Sequence, residues 1–179
     1  VDEPWIPCIM ADGSPKPLGL KDVLVQARDI REVLDSSPLV TVALHRLLLA
    51  VLHRNFGPAN LSAWRDLQRL GQWDAKRLDS YFHAHYRDFD LFSDTKPFFQ
   101  DPSLSRVESA EPDEEDDEGT EGNLVPIAKL ARELAATRNP TLFDHTVDSP
   151  PVPFPPDKAA RYLVAAQAFA LEDGRGYGP

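Results

Sequence analysis

Between Leu39 and Leu52 only Thr41, His45 and Arg46 are not apolar. Ser37 stands where a helix N-cap would, Pro38 suits the first helical position, and Phe56-Gly57-Pro58 supplies a stop. A helix apolar around most of its circumference is buried on most sides. The stretch therefore predicts a central core helix, and the rest of the chain must be built to cover it. No apolar run approaches the ~20 residues that span a bilayer, so no membrane partner is expected.

The flanking segments read as covers for that helix. Trp5-Ile6-Pro7-Cys8-Ile9-Met10 is a short apolar run ending in the turn signal Ala11-Asp12-Gly13-Ser14. It predicts a strand and hairpin, placed at a sheet edge because Pro7 cannot donate to a ladder. Leu20, Val23, Leu24 and Ala27 recur at helical spacing. Asn60 caps a helix carrying Leu61, Trp64, Leu67 and Leu70 and ending at Gly71; Asp74 opens another with Leu78, Tyr81, Phe82, His85 and Tyr86. Phe89-Asp90-Leu91-Phe92 and Pro97-Phe98-Phe99-Gln100 are dense enough in aromatics to anchor a loop on the core. Val125 to Ala135 reads as a helix with Ile127, Leu130, Ala131 and Leu134 inward. A proline-rich connection (Pro150, Pro151, Pro153, Pro155, Pro156) leads to a last helix from Asp157 to Leu171. The predicted class is α+β, mainly helical, with a small N-terminal sheet.

Charge needs its distribution read before its sum. The 179 residues carry a net charge of −10, but nine acids lie in residues 108–121 (ESAEPDEEDDEGTE) without a base among them. The other 20 acidic residues stand against 19 Lys and Arg. The body is near neutral, and the acidic run, which repels itself and buries nothing, is expected to be a disordered insertion. Nucleic-acid binding is not excluded, though no strongly basic surface announces it.

Catalytic chemistry finds no foothold. His83 and His85, two apart on a helix, face different directions and make a poor metal pair. The acidic run lacks the spacing of a calcium loop. There is no phosphate loop and no nucleophile elbow. Cys8 is the only cysteine, set in an apolar strand without a basic neighbour, so it should pack and not react. No catalytic residue, metal ligand or cofactor is assigned. A hydrolase using His83 or His85 with carboxylates is kept as a separate reading. The lone cysteine fits a reducing cytoplasm.

The polar loop Arg138-Asn139-Pro140-Thr141-Leu142-Phe143-Asp144-His145 is more informative. Arg can pair phosphate, Asn can bond base edges, and Phe can stack on a base. The plainer reading makes Asn139-Pro140 a turn, Phe143 a core anchor and Asp144-His145 a mutual pair. Taken on the residues alone, the plainer reading is favoured. Gly174-Arg175-Gly176-Tyr177-Gly178 is an open glycine loop and reads as a place where a longer chain continues or was cut.

Several short segments, in order, resemble the CasA family, the large subunits of type I-E CRISPR Cascade surveillance complexes. They are Asp2–Pro7, His45–Arg54, Phe89–Phe92, Pro97–Asp101, Asn139–His145 and Ala159–Phe169. Only the acidic insertion falls outside the likeness. The resemblance implies that residues 1–179 form the N-terminal domain of such a subunit, with the family's C-terminal helical bundle lying beyond residue 179. It implies a binding protein: one that works with other Cascade subunits and guide RNA, senses the protospacer-adjacent motif in target double-stranded DNA, aids duplex opening and recruits a helicase-nuclease. Guide pairing would supply long sequence specificity and protein contacts would read the short motif. On the same resemblance Arg138, Asn139, Thr141, Phe143 and His145 belong to a loop near the guide's 5′ handle and the DNA. Gly174 and Gly176 fall where the family carries a glycine loop that lets backbone approach the motif. The alternative is a helical adaptor that touches only protein.

Overall fold

The computed structural model describes residues 1–101, 130 and 154–169. Three short strands, β1 (Ile6–Met10), β2 (Pro15–Leu18) and β3 (Ile30–Val33), form one antiparallel sheet in the order β2-β1-β3. Five helices accompany it: α1 (Leu20–Val25), α2 (Pro38–Phe56), α3 (Leu61–Leu70), α4 (Ala75–Ala84) and α5 (Pro156–Phe169). The predicted class, mainly helical α+β with a small N-terminal sheet, is the observed one.

β1 is the central strand and not the expected edge. Its proline is tolerated by parity. Pro7 faces Pro17 across the β1–β2 ladder, and two prolines cannot exchange N–H bonds, so Pro7 turns its backbone toward β3. There its carbonyl accepts from Leu34 N at 3.1 Å, one residue past the end of β3. The missing donor thus falls where the ladder stops. By the same alternation Pro15 and Pro17 turn their nitrogens to the outer side of β2. That edge cannot donate at either position, which discourages further strand pairing.

Ile6, Cys8, Leu18, Leu20, Val23, Leu24 and Val33 cover one side of the core, and Val40, Ala43, Leu44, Leu48 and Val51 of α2 fill its middle. Leu78 and Phe82 of α4, and Tyr162, Val164 and Ala165 of α5, close it. α5 packs most extensively on α2. By length and apolar composition α2, 19 residues long, could cross a bilayer, which the apolar run alone did not convey. Its contacts are those of a core helix.

Burial of α2 is less complete than its composition implies: Leu39, Val42 and Leu49 remain 43%, 50% and 62% exposed. Ser37 occupies the N-cap position but its side chain makes no capping bond. Instead Asp35 Oδ1 accepts from Ser37 N at 2.9 Å, and Thr41 Oγ1 accepts from Asp35 N at 2.9 Å. The caps at Asn60 and Asp74 are present. Asn60 Oδ1 accepts from Ala63 N, and Asp74 Oδ1 accepts from Lys76 N and Arg77 N. α3 ends at Gly71 in the left-handed region, with φ 60°, where glycine carries no Cβ penalty. α4 stops at Ala84, and Tyr86–Phe89 tightens into a 3-10 turn. Phe89 and Phe98 anchor the following loop, with rings 5.7 Å apart, while Phe92 stands 74% exposed.

Candidate nucleic-acid interface

Every residue assigned to nucleic acid from the sequence, Arg138, Asn139, Thr141, Phe143, His145, Gly174 and Gly176, lies outside the described residues. So do the acidic run 108–121 and the predicted helix 125–135, apart from Leu130, which packs against the core. The structure does define the element from which both candidate loops depart. Residues 138–145 precede α5 and residues 174–176 follow it.

α5 is held to the rest of the fold at two places, with an aromatic cluster of its own between them. At its N-terminal end Arg161 reaches three acceptors: Asp35 Oδ2 at 2.9 Å, the Trp5 carbonyl at 2.8 Å and Asp157 Oδ2 at 2.9 Å. The pair with Asp35 is well shielded, the side chains being 17% and 8% exposed. One guanidinium therefore ties α5 to the residue before β1 and to the turn that opens α2. Its planar fork suits this task, which a lysine could not perform with equal geometry. Phe154 packs edge-on against Tyr162, and Lys158 lies over both rings. At the C-terminal end Arg46 of α2 donates to the Ala168 carbonyl at 2.9 Å and lies over the Phe169 ring. A cation there satisfies an end carbonyl and complements the helix dipole.

Fourteen helical residues place the two loop attachments about 20 Å apart.

The histidines do other things. His85 Nδ1 pairs with Asp88 Oδ2 at 2.8 Å, and Lys96 Nζ sits 2.6 Å from Asp88 Oδ1. The lysine first, then the histidine, hold the Asp88 carboxyl below its ordinary pKa. His83 lines an open depression of about 590 Å³ with Lys21, Asp2 and Asp79. Lys21 lies 3.3 Å from Asp2 and 3.4 Å from Asp79. Its hydrogen bond to Asp2 is the main cause of its raised pKa. Among the described residues no three His, Cys, Asp or Glu side chains gather as a metal site would require. Burial pushes the Cys8 thiol up to about 11, far from the range of reactive cysteines.

Sequence reasoning missed the Arg161–Asp35 tie. Arg161 was legible only as part of a family-like segment, and its partner lies 126 positions away.

The comparisons agree on one family. Residues 1–178 match the family described as CRISPR-associated protein Cse1. The CRISPR-associated protein CasA/Cse1 of Thermus thermophilus is 36% identical over 171 residues, which are 95% of this chain and 31% of that protein. The solved structure of Thermus thermophilus CasA (Cse1) superposes with a TM-score of 0.71 at 30% identity, covering 95% of this chain and 30% of that one. A chain of a CRISPR RNA-guided surveillance complex superposes at 0.73 with 26% identity, covering 92% and 33%. The chain thus spans about a third of the length of the relatives it matches.

Proposed function

Since this chain belongs to the CRISPR-associated Cse1 (CasA) family, we propose that it serves in a Cascade-type, RNA-guided surveillance complex as a DNA-sensing subunit. It binds and does not catalyse. The observation that carries the reading is the family match over residues 1–178, joined to the likeness with a chain of a CRISPR RNA-guided surveillance complex. In this reading the subunit docks beside the guide RNA's 5′ handle and other Cascade subunits in the cytoplasm. It probes the protospacer-adjacent motif of double-stranded target DNA, aids duplex opening and recruits the helicase-nuclease. A pinned α5 supports it, because readout loops need rigid attachment to hold register on a duplex.

Arg138, Asn139, Thr141, Phe143 and His145 form the proposed loop at the guide and target, and Gly174 and Gly176 the close backbone approach. Asn139→Ala combined with Phe143→Ala is expected to weaken target-duplex binding by the assembled complex at least tenfold. A lost stacking contact is worth about 1–3 kcal/mol, and a lost hydrogen bond about 1 kcal/mol more. Unchanged DNA binding with the subunit still in place would remove these residues from the interface.

A further inference from the structure

α4 and the chain before β1 face each other across the open depression of about 590 Å³. Gly19 lets the first wall come close to α1. A Cβ there would stand 2.7 Å from the carbonyl oxygens of Val1 and Asp2, an approach that only glycine permits. Trp5 N donates to the Leu18 carbonyl at 3.2 Å and fixes the same stretch. On the other wall Asp79, His83 and Tyr86 follow at i, i+4 and i+7, the spacing of one helix side. Lys21 of α1 lies between the walls, 3.3 Å from Asp2 Oδ1 and 3.4 Å from Asp79 Oδ1. The second oxygen of each carboxylate has no partner among the described residues. Both aspartate side chains stay more than half exposed, and so does the Tyr86 ring that lines the same depression.

We propose that this depression receives an arginine side chain carried by a protein partner. Two carboxylates converge on one ammonium, so the lining side chains hold a surplus of negative charge and two spare acceptor oxygens. A phosphate would face those carboxylates, which sets this face apart from any DNA path. A metal ion would need a third ligand, and among the described residues no such group gathers. A guanidinium suits the lining better than a second ammonium. It is more weakly hydrated, its fork reaches two acceptors at once, and its plane can lie on the Tyr86 ring. The openness of the depression points to a protein as the carrier. Small-molecule sites enclose most of their ligand, whereas a side chain projecting from a larger surface brings its remaining contacts with it.

The test replaces the four tyrosines by 3-fluorotyrosine and follows the fluorine resonance of Tyr86, assigned with Tyr86→Phe. The probe is a tripeptide, blocked at both ends, with arginine at its centre. It is expected to shift the Tyr86 signal saturably, with a dissociation constant on the order of a millimolar, and to leave Tyr162 of α5 unmoved. The same peptide with citrulline, the neutral isostere, should bind roughly tenfold more weakly. Asp79→Asn should weaken arginine-peptide binding by about fivefold, and Lys21→Met, which removes the competing ammonium, should tighten it by about the same factor. A response that never saturates, equal binding of the citrulline peptide, or tighter binding of a glutamate peptide would overturn the proposal. Free agmatine binding more tightly than the peptide would give the depression to a small amine and overturn the protein partner.

Discussion

Replacing Arg161 by methionine keeps the aliphatic stem and removes the guanidinium. Three contacts go at once, to Asp35 Oδ2, to the Trp5 carbonyl and to Asp157 Oδ2. The costly one is the first, because Asp35 is 8% exposed and would keep a charge without its counter-ion. Breaking a buried pair from one side costs about 3–5 kcal/mol. The lower end applies here, since Asp35 still accepts from Ser37 N and Arg161 is 17% exposed. About 3 kcal/mol in a chain of this size lowers the melting temperature by about 6–12 °C. Thermal unfolding followed by circular dichroism reads the shift, and urea unfolding reads the free energy. The double variant Asp35→Asn/Arg161→Met should be less destabilised than the sum of the singles, because it removes the stranded charge. A loss below about 1 kcal/mol for Arg161→Met, or strict additivity in the cycle, would refute the claim that this ion pair pins α5.

Three further outcomes are expected. Gly71→Ala should cost about 1–2 kcal/mol in urea unfolding, because φ is +60° and the new Cβ would stand against the Arg28 guanidinium; a neutral change would contradict that geometry. Cys8 should react with a maleimide at pH 7.5 only as fast as the chain unfolds, its thiol being buried and pushed up to about 11, whereas labelling at the rate of a free thiol would be inconsistent with the strand packing. The Asp88 carboxyl is held down by Lys96 and His85, so its contribution to stability is present above the ordinary carboxylate pKa and is lost as pH falls through its lower folded value. The stability gap between the parent and Asp88→Asn should accordingly close in strong acid and shrink with salt; a gap constant from pH 7 to pH 2 would rule this out.

Local signals carried the helices well. Asn60, Asp74 and Gly71 act where a reader of the sequence would put them, because capping is a contact between near neighbours. The small sheet was half legible. β1 and its turn stand out, but Ile30–Val33 is four residues with two charges, and its pairing with β1 is long-range. Without β3, Pro7 looks like an edge residue, whereas its harmlessness depends on which side of the strand its nitrogen faces. α2 was legible as the core helix, yet composition could not reveal that Leu39, Val42 and Leu49 would stay outside. Ser37 misled because its hydroxyl does not cap: the side chains of Asp35 and Thr41 bond instead to the backbone just before α2, at Ser37 N and Asp35 N. At the candidate interface, Asn139 and Phe143 are conspicuous for their chemistry, while the residue that holds α5 in place, Arg161, is conspicuous only once Asp35 is seen beside it.

The most direct test of the proposed role uses the reconstituted guide-RNA complex with and without the full-length version of this subunit. Target duplexes carry either a permissive or a scrambled flanking motif, and binding is measured at a fixed salt concentration, since phosphate contacts make affinity steeply salt-dependent. The account predicts that the subunit tightens binding only beside the permissive motif. Equal binding in all four combinations would contradict DNA sensing and leave this chain a protein-binding adaptor.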